Sequence, residues 1–474
     1  LGFLDYTTLE RRRRFCEEEI RVSGRFAPEV YLAAVPIAGP AASARIEGAG
    51  PTIEWAVKLA QFDEADRLDN RFVAGRLTPA DCERLGAEIA AVEEGLAVAG
   101  PDEAWGSAES VREAVTINLR QLREQRPDAA RRVDRIEAWL FARLHALRSV
   151  IELRRAAGRV RECHGDLHLG NLVFLAGRMT PFDAIEFSPG LRWIDVANDV
   201  AFLVMDLESR GRADLAAHVQ SSWMEAADDH AAAVVLPVYE VYRAVVRAAV
   251  AALRGVDQAA ERAETDRYLE LAERLMRPRR PVLVVTCGIS GCGKTTLAGR
   301  IVAATGAVRL RSDVERKRLA GMGPADRPPD TAATAALYGP EATRRVYGRL
   351  ARLAGTLLDA GSSVVVDAAC LKRWQRGEIA AVARDRQVPL VWLEIDVPLE
   401  TALARVTARQ ASAGDASDAT PAVVQGQWDA REPFTEHELA AAGGIAPRHI
   451  RVREADLADP EFAGRLSRGL PSGP

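Results

Sequence analysis

The chain has 474 residues, enough for two to four domains at ~100–200 residues each. Hydrophobic residues make up 48%, charged residues 27% and aromatic residues 6%, and the net charge is −4. This excludes a mostly disordered chain, a collagen and a disulfide miniprotein, and it leaves no basic footprint for nucleic acid.

Only four of the 63 basic residues are lysine: Lys58, Lys294, Lys317 and Lys372. A lysine kept against such an arginine bias is worth inspecting. The six cysteines form no CxxC pair and no His/Cys cluster of zinc spacing, so they read as reduced thiols of a cytoplasmic protein. No run of 18 apolar residues occurs, and no membrane partner is expected. Val238 to Val256 comes nearest, but Glu240, Arg243, Arg247 and Arg254 make it an amphipathic helix.

In chain order, a charged helix is expected from Thr8 to Val22, with Thr7 or Thr8 as its N-cap. Strand-like runs follow at Tyr31 to Ile37 and Ile53 to Phe62. From Ala80 the pattern is helical, interrupted between Cys163 and Ile185 by clustered Gly, Asp and Asn, and helical again beyond Asp195. A few strands followed by helices around one loop suggest an α+β domain over residues 1–276. Two prolines and three arginines at 277–281 read as a linker. Residues 282–455 then alternate, with strands at Val282–Cys287, Ala307–Leu310, Ser363–Val366, Leu390–Ile395 and His449–Val452. Helices fill the gaps, which predicts an α/β domain with a parallel sheet. Residues 456–474 read as a C-terminal tail.

The interrupted region holds His164-Gly165-Asp166-Leu167-His168-Leu169-Gly170-Asn171. An Asp followed five residues later by an Asn is the catalytic-loop arrangement of kinases. Asp166 is placed to deprotonate an acceptor hydroxyl and Asn171 to bind Mg²⁺. Twelve residues on, Asp183 follows Phe182, where a second metal-binding Asp belongs. Glu186 is a further candidate metal contact. His164 and His168 read as supports of the loop.

The HGDxHxGN form resembles aminoglycoside phosphotransferases and choline-kinase-like enzymes. That resemblance implies that Asp195, in Trp193-Ile194-Asp195-Val196-Ala197, braces the catalytic loop. A kinase of this fold also needs a strand lysine paired with a helix glutamate. Glu17, Glu18 and Glu19 offer the glutamate, with a solvated acidic face as the alternative. The lysine is expected ahead of that helix, so the small lobe reads as incomplete and the chain as part of a longer protein. The rival assignment is Lys58 in Trp55-Ala56-Val57-Lys58, a strand that in the family register leads into the hinge.

In the second half, Gly288-Ile289-Ser290-Gly291-Cys292-Gly293-Lys294-Thr295 matches G-x-x-x-x-G-K-[ST], with a strand before it and a helix after it. Gly288, Ser290, Gly291, Cys292 and Gly293 would wrap phosphate oxygens with backbone N–H groups, and Thr296 adds another at the helix start. Lys294 would reach the β/γ-phosphates of ATP, and the Thr295 hydroxyl would bind Mg²⁺. Asp367 closes the apolar strand Val364-Val365-Val366 and is the second metal candidate, unless it only caps the next helix. Asp313, after the second strand, is placed to accept a proton from a substrate hydroxyl, and Arg316 to hold an anion. Arg405 and Arg409, four apart and entering the polar stretch Ala411 to Thr420, suit a lid closing over a phosphoryl group.

This half resembles P-loop small-molecule kinases of the gluconate kinase, zeta toxin and polynucleotide kinase type. With Gly2-Phe3-Leu4-Asp5-Tyr6 and the helix that follows, the two halves resemble bacterial bifunctional proteins that fuse an aminoglycoside phosphotransferase-like domain to a P-loop domain. The resemblance implies ATP, Mg²⁺ and a small-molecule hydroxyl acceptor, sugar- or aminoglycoside-like. It leaves open a ligand-sensing first half regulated by a P-loop ATPase, and a nucleic-acid 5′-hydroxyl kinase in the second. The acceptor and the oligomeric state are not readable from these residues.

Overall fold

The computed structural model describes residues 5–254, 258–410, 418–440 and 447–469. The chain divides into two compact units, residues 1–219 with 235–276, and residues 220–234 with 277–474.

Unit 1 opens with the helix Leu9–Ser23, whose N-cap Thr8 accepts from the Arg11 N–H. A three-stranded antiparallel sheet follows, built from β1 (Tyr31–Ala38), β2 (Arg45–Ile46) and β3 (Thr52–Leu59) in the order β2-β1-β3. After the short helix Leu68–Val73 come three long helices, Pro79–Glu94, Ala108–Gln125 and Ala130–Ala146, and a shorter one, Arg148–Ala156. The first of the long ones starts in a reciprocal capping box of Thr78 and Asp81.

The middle of unit 1 is made of two short ribbons. β4 (Val160–Glu162) pairs antiparallel with β7 (Trp193–Asp195). β5 (Leu172–Leu175) pairs with β6 (Arg178–Pro181) across a two-residue turn. Ala176 and Gly177 both have positive φ, 48° and 83°, as a type I′ hairpin requires. The turn fixes the register, so Leu172 faces Pro181 and the Phe182 N–H donates to the Asn171 carbonyl at 3.0 Å. A tight turn at one end of the hairpin thus holds Asn171 and the Phe182-Asp183 segment side by side at the other. Behind them lie the helices Val196–Ser209, Leu236–Leu253 and Gln258–Leu275; in the first, every residue from Val196 to Leu207 is buried.

Unit 2 has the expected parallel sheet: β8 (Leu283–Cys287), β9 (Val308–Arg311), β10 (Val364–Asp367), β11 (Leu390–Asp396) and β12 (Arg448–Arg453), ordered β12-β11-β8-β10-β9. β8 and β10 are buried along their whole length, as strands covered on both faces must be. Val364, Val365 and Val366 of β10 lie opposite Leu283, Val284 and Val285 of β8. The carboxyl ends of these central neighbours therefore meet at one edge, the ligand side of an open α/β sheet.

Two stretches depart from a simple division at the linker. Residues 220–234 fold with unit 2: the Ser221 hydroxyl accepts from the Arg309 N–H at 2.9 Å, and Glu225 pairs with Arg311. The residues read as a tail carry the helix Phe462–Arg468, whose Ala463 and Leu466 join the core beside Ile301 and Val452. Among the described residues, no helix is long and apolar enough to cross a membrane.

Candidate active sites

In unit 1 the loop His164–Asn171 is held from three sides. The Asp199 carboxylate accepts from the His164 and Gly165 N–H groups, both at 2.9 Å. Asp206 accepts from the Leu169 N–H at 3.1 Å, and Arg243 donates to the Gly165 carbonyl at 3.0 Å. Gly165 has φ 87°, and a Cβ there would lie 2.8 Å from the Leu191 carbonyl oxygen, so the turn admits only glycine. Both histidines support the loop as expected. His164 Nδ1 accepts from the Asp166 N–H, and its Nε2–H donates to the Phe182 carbonyl at 2.8 Å. Burial lowers its pKa. His168 Nδ1 accepts from the Gly170 N–H, while Nε2 lies 3.4 Å from Asp166 Oδ2.

Asp166 and Asn171 meet at the centre. Asn171 Nδ2 donates to the Asp166 carbonyl at 3.0 Å and to Oδ2 at 3.2 Å. Burial works against the ionised form of Asp166, but the His168 hydrogen bond and charge, with His164 and Arg247, outweigh it and lower the pKa to about 2. Asp183 has φ 62°, a left-handed conformation that Asp tolerates. Its N–H donates to the Tyr31 hydroxyl at 2.8 Å, and the next N–H, of Ala184, donates to Ser23 Oγ.

The role expected of Asp195 is corrected. Its two oxygens accept from Arg154 at 2.7 and 2.8 Å, and one also caps the helix Val196–Ser209 through the Ala197 N–H. The His164, Gly165 and Leu169 N–H groups go to Asp199 and Asp206 instead. One and three turns further along that helix, these two carboxylates point at the loop, whereas Asp195 sits on β7 against β4. Sequence reading missed both; the available signal was two acids in the buried, mostly apolar stretch Val196 to Leu207.

The three glutamates also separate. Glu17 pairs with Arg13 at 2.8 Å, and Glu18 with Arg21 and Arg192. Glu19 is the one turned toward the site. Burial first, then the charges of Glu186 and Asp183, raise its pKa to about 7. Glu186 is raised as well, mainly by burial, and accepts from the Tyr6 hydroxyl at 3.2 Å. Lys58 is half exposed on β3 and pairs with Glu47 at 3.3 Å, so the rival assignment of it as the lysine of the site fails.

In unit 2 the glycine-rich loop follows β8 directly. Gly288, Gly291 and Gly293 have φ of 151°, 82° and 102°. A Cβ on Gly291 would lie 2.5 Å from the Ala402 carbonyl oxygen, so the loop can pack here only without a side chain. Cys292 is buried and its thiol pushed up by that burial; the residue offers the loop its backbone, not its sulfur. Lys294 opens the helix Lys294–Thr305, and its ammonium donates to the Ile289 carbonyl at 2.7 Å. Thr295 and Thr296 stand exposed on the first turn.

Asp367 ends β10 beside this loop. Burial raises its pKa, opposed by the charges of Lys294 and Arg309 and by a hydrogen bond with Thr295; the charge of Asp313 adds to the rise. Lys294, Thr295, Asp367 and Asp313 therefore act on one point at the carboxyl edge of the sheet. A hydroxyl and a buried carboxylate there fit a Mg²⁺ ion that takes its other ligands from phosphates and water. Asn171 and Asp183 offer the equivalent pair in unit 1. Among the described residues, no group of three or more His, Cys, Asp or Glu side chains forms a metal cage.

Arg316 does not offer a free anion contact. It is buried under Tyr338 and donates to the Leu337 carbonyl and the Thr343 hydroxyl. Arg405 lies near enough to the loop for its charge to act on Cys292, but pairs with Glu454 at 2.7 Å. The side chain of Arg409 and residues 411–417 lie outside the described residues.

Residues 8–234 match the family model described as "Phosphotransferase enzyme family", and residues 283–434 match one described as "AAA domain". The chain is 28% identical to an uncharacterised protein of Mycobacterium tuberculosis, over 96% of this chain and 89% of that protein. A gluconokinase structure from Sinorhizobium meliloti is 20% identical and covers 40% of this chain and 96% of its own, with a TM-score of 0.27. A choline/ethanolamine kinase family structure from Mesorhizobium loti is 15% identical and covers 55% of this chain and 78% of its own, with a TM-score of 0.34. One chain thus joins a stretch that matches the phosphotransferase enzyme family to a stretch that matches an AAA domain.

Proposed function

We propose that each unit is an ATP- and Mg²⁺-dependent phosphotransferase that moves a γ-phosphoryl group to a hydroxyl of a small molecule. The observation that supports this reading is that each unit gathers carboxylates with an amide or hydroxyl that could serve as base and metal ligands. Asp166 stands with Asn171 and Asp183, and Asp313 with Thr295 and Asp367. A carboxylate so placed can take the proton of an acceptor hydroxyl, as phosphoryl transfer to an alcohol needs.

In unit 1, Asp166 accepts the acceptor's proton and stays ionised at neutral pH, while Asn171 holds its carboxylate in place. In unit 2, the loop N–H groups and Lys294 bind and orient the phosphates, and Asp313 takes the acceptor proton. Bound Mg²⁺ neutralises charge on the transferring group in both. Arg405 and Arg409 would complete the charge cover over the nucleotide. Catalysis rests on positioning and electrostatic cover. A sugar- or aminoglycoside-like acceptor, a cytoplasmic site and the absence of a nucleic-acid partner belong to the same proposal.

A second reading of unit 1, ligand sensing without transfer, has one observation in its favour. Among the described residues, the charges acting on Glu19 are both carboxylates, and Lys58 is engaged elsewhere. ADP release measured with and without a panel of sugars and amino sugars separates the two. Release that depends on an acceptor and is lost in Asp166→Asn supports transfer by unit 1. Release indifferent to every acceptor and to Asp166→Asn sinks it.

A further inference from the structure

The phosphate loop of unit 2 does not stand open. The Ser290 N–H, in the middle of the glycine-rich turn, donates to the side-chain carbonyl of Gln427 at 2.7 Å. Gln427 belongs to the helix Pro421–Ala430, capped by Thr420 and seated by buried Val424 and by Trp428 packed on the core. Gln427 itself is half-buried, one turn beyond Val424, and so is aimed by a fixed helix. On the same loop, the Lys294 ammonium is turned inward onto the Ile289 carbonyl. A donor and a cation that a phosphate would engage are thus both satisfied by neutral oxygens of the protein.

We propose that Gln427 is a displaceable plug of the phosphate loop. Its amide oxygen occupies the position of a phosphate oxygen at the Ser290 N–H and gives way when nucleotide enters. An anionic phosphate oxygen is the stronger acceptor, so the exchange runs in its favour. The neutral plug spares the loop an unpaired, part-buried donor in the meantime. Its removal also makes the helix Pro421–Ala430 sensitive to nucleotide, because the bond that ties it to the loop is the one that breaks.

The inference rests on the reading of this loop as a nucleotide site, and the experiment tells the two apart. Calorimetric titration with ADP·Mg and a non-hydrolysable ATP analogue would compare wild type, Gln427→Ala, Gln427→Met, Gln427→Glu and Lys294→Ala. Hydrogen exchange of the 288–294 segment would be followed alongside. The plug predicts binding about fivefold tighter in both Ala and Met variants, since one competing hydrogen bond is gone. It predicts weaker binding in Gln427→Glu, whose carboxylate both holds the N–H and repels phosphate. It also predicts faster Ser290 exchange in the nucleotide-free Ala and Met variants. Unchanged or weaker binding in Ala and Met, with wild type still binding, overturns the plug and leaves the nucleotide site standing. If neither wild type nor any variant takes up nucleotide at this loop, the nucleotide reading falls and the plug falls with it.

Discussion

The two candidate sites reach similar chemistry by opposite constructions. In unit 2 the loop is eight consecutive residues, and three glycines with positive φ give it its shape. In unit 1 the loop's geometry is imposed from far away in sequence. Asp199 and Asp206 hold its backbone N–H groups, Arg243 holds a carbonyl, and Tyr31 and Ser23 fix the Asp183 segment. A backbone cradle tolerates changes around it but not within it. A cross-braced loop fails when any of its remote braces is removed, even one that touches no substrate.

The largest effects should separate the sites. Lys294→Ala is expected to cut unit 2 nucleotide turnover by about 10²-fold or more, because it removes a charge aimed at the transferring phosphates. Asp166→Asn is expected to cut unit 1 transfer by about 10²–10⁴-fold through loss of the base. Steady-state assays with each unit's acceptor should show each loss confined to its own site. If either variant silenced both activities, the sites would not be independent and the comparison would collapse.

Asp199→Ala tests the remote bracing directly. It strands two buried N–H donors behind the loop and is expected to cost about 2–5 kcal/mol of unit 1 stability. Asp199→Asn keeps one acceptor oxygen and should cost roughly half as much. Urea unfolding followed by far-UV signal gives the numbers, and P-loop nucleotide binding should be unchanged in both variants. A loss of under about 0.5 kcal/mol in the alanine variant would mean the loop holds itself.

The same contrast explains what the sequence disclosed. The P-loop, the strand ending in Asp367 and all five strands of the parallel sheet were legible, because each is a contiguous pattern with one physical cause. Asp166 and Asn171 were legible for the same reason. Asp199 and Asp206 were not, because two acids in a mostly apolar stretch of helix do not say which backbone they face. Asp195 was singled out by the resemblance of Trp193-Ile194-Asp195-Val196-Ala197, yet its charge is spent on Arg154. Glu17, Glu18 and Glu19 are equivalent as letters; only the partners Arg13, Arg21 and Arg192, supplied by the fold, single out Glu19. Gln427 lies 137 positions from Ser290 and carries no charge to mark it.

The smallest effect is the part of the pH dependence of unit 1 that Glu19 sets. Glu19 sits with Glu186 and Asp183, and its pKa is raised from 4.5 to about 7 by burial and then by those two charges. In the folded state the carboxyl keeps its proton to higher pH than in the unfolded chain. Between about pH 4.5 and 7 the folded state therefore binds more protons, and stability falls as pH rises through that window. Solvent reaches part of the side chain, so the loss is expected to be on the order of 1 kcal/mol, well below the full value of the shift. Glu19→Gln should flatten this slope in thermal melts taken from pH 5 to 8 and leave unit 2 melting untouched. Added Mg²⁺ should reduce the wild-type slope too, since a cation held by Asp183 relieves the repulsion that raises Glu19. A wild-type slope that Glu19→Gln leaves unchanged would mean that the carboxylates do not share one field, and that unit 1 does not concentrate negative charge where a nucleotide's metal is expected.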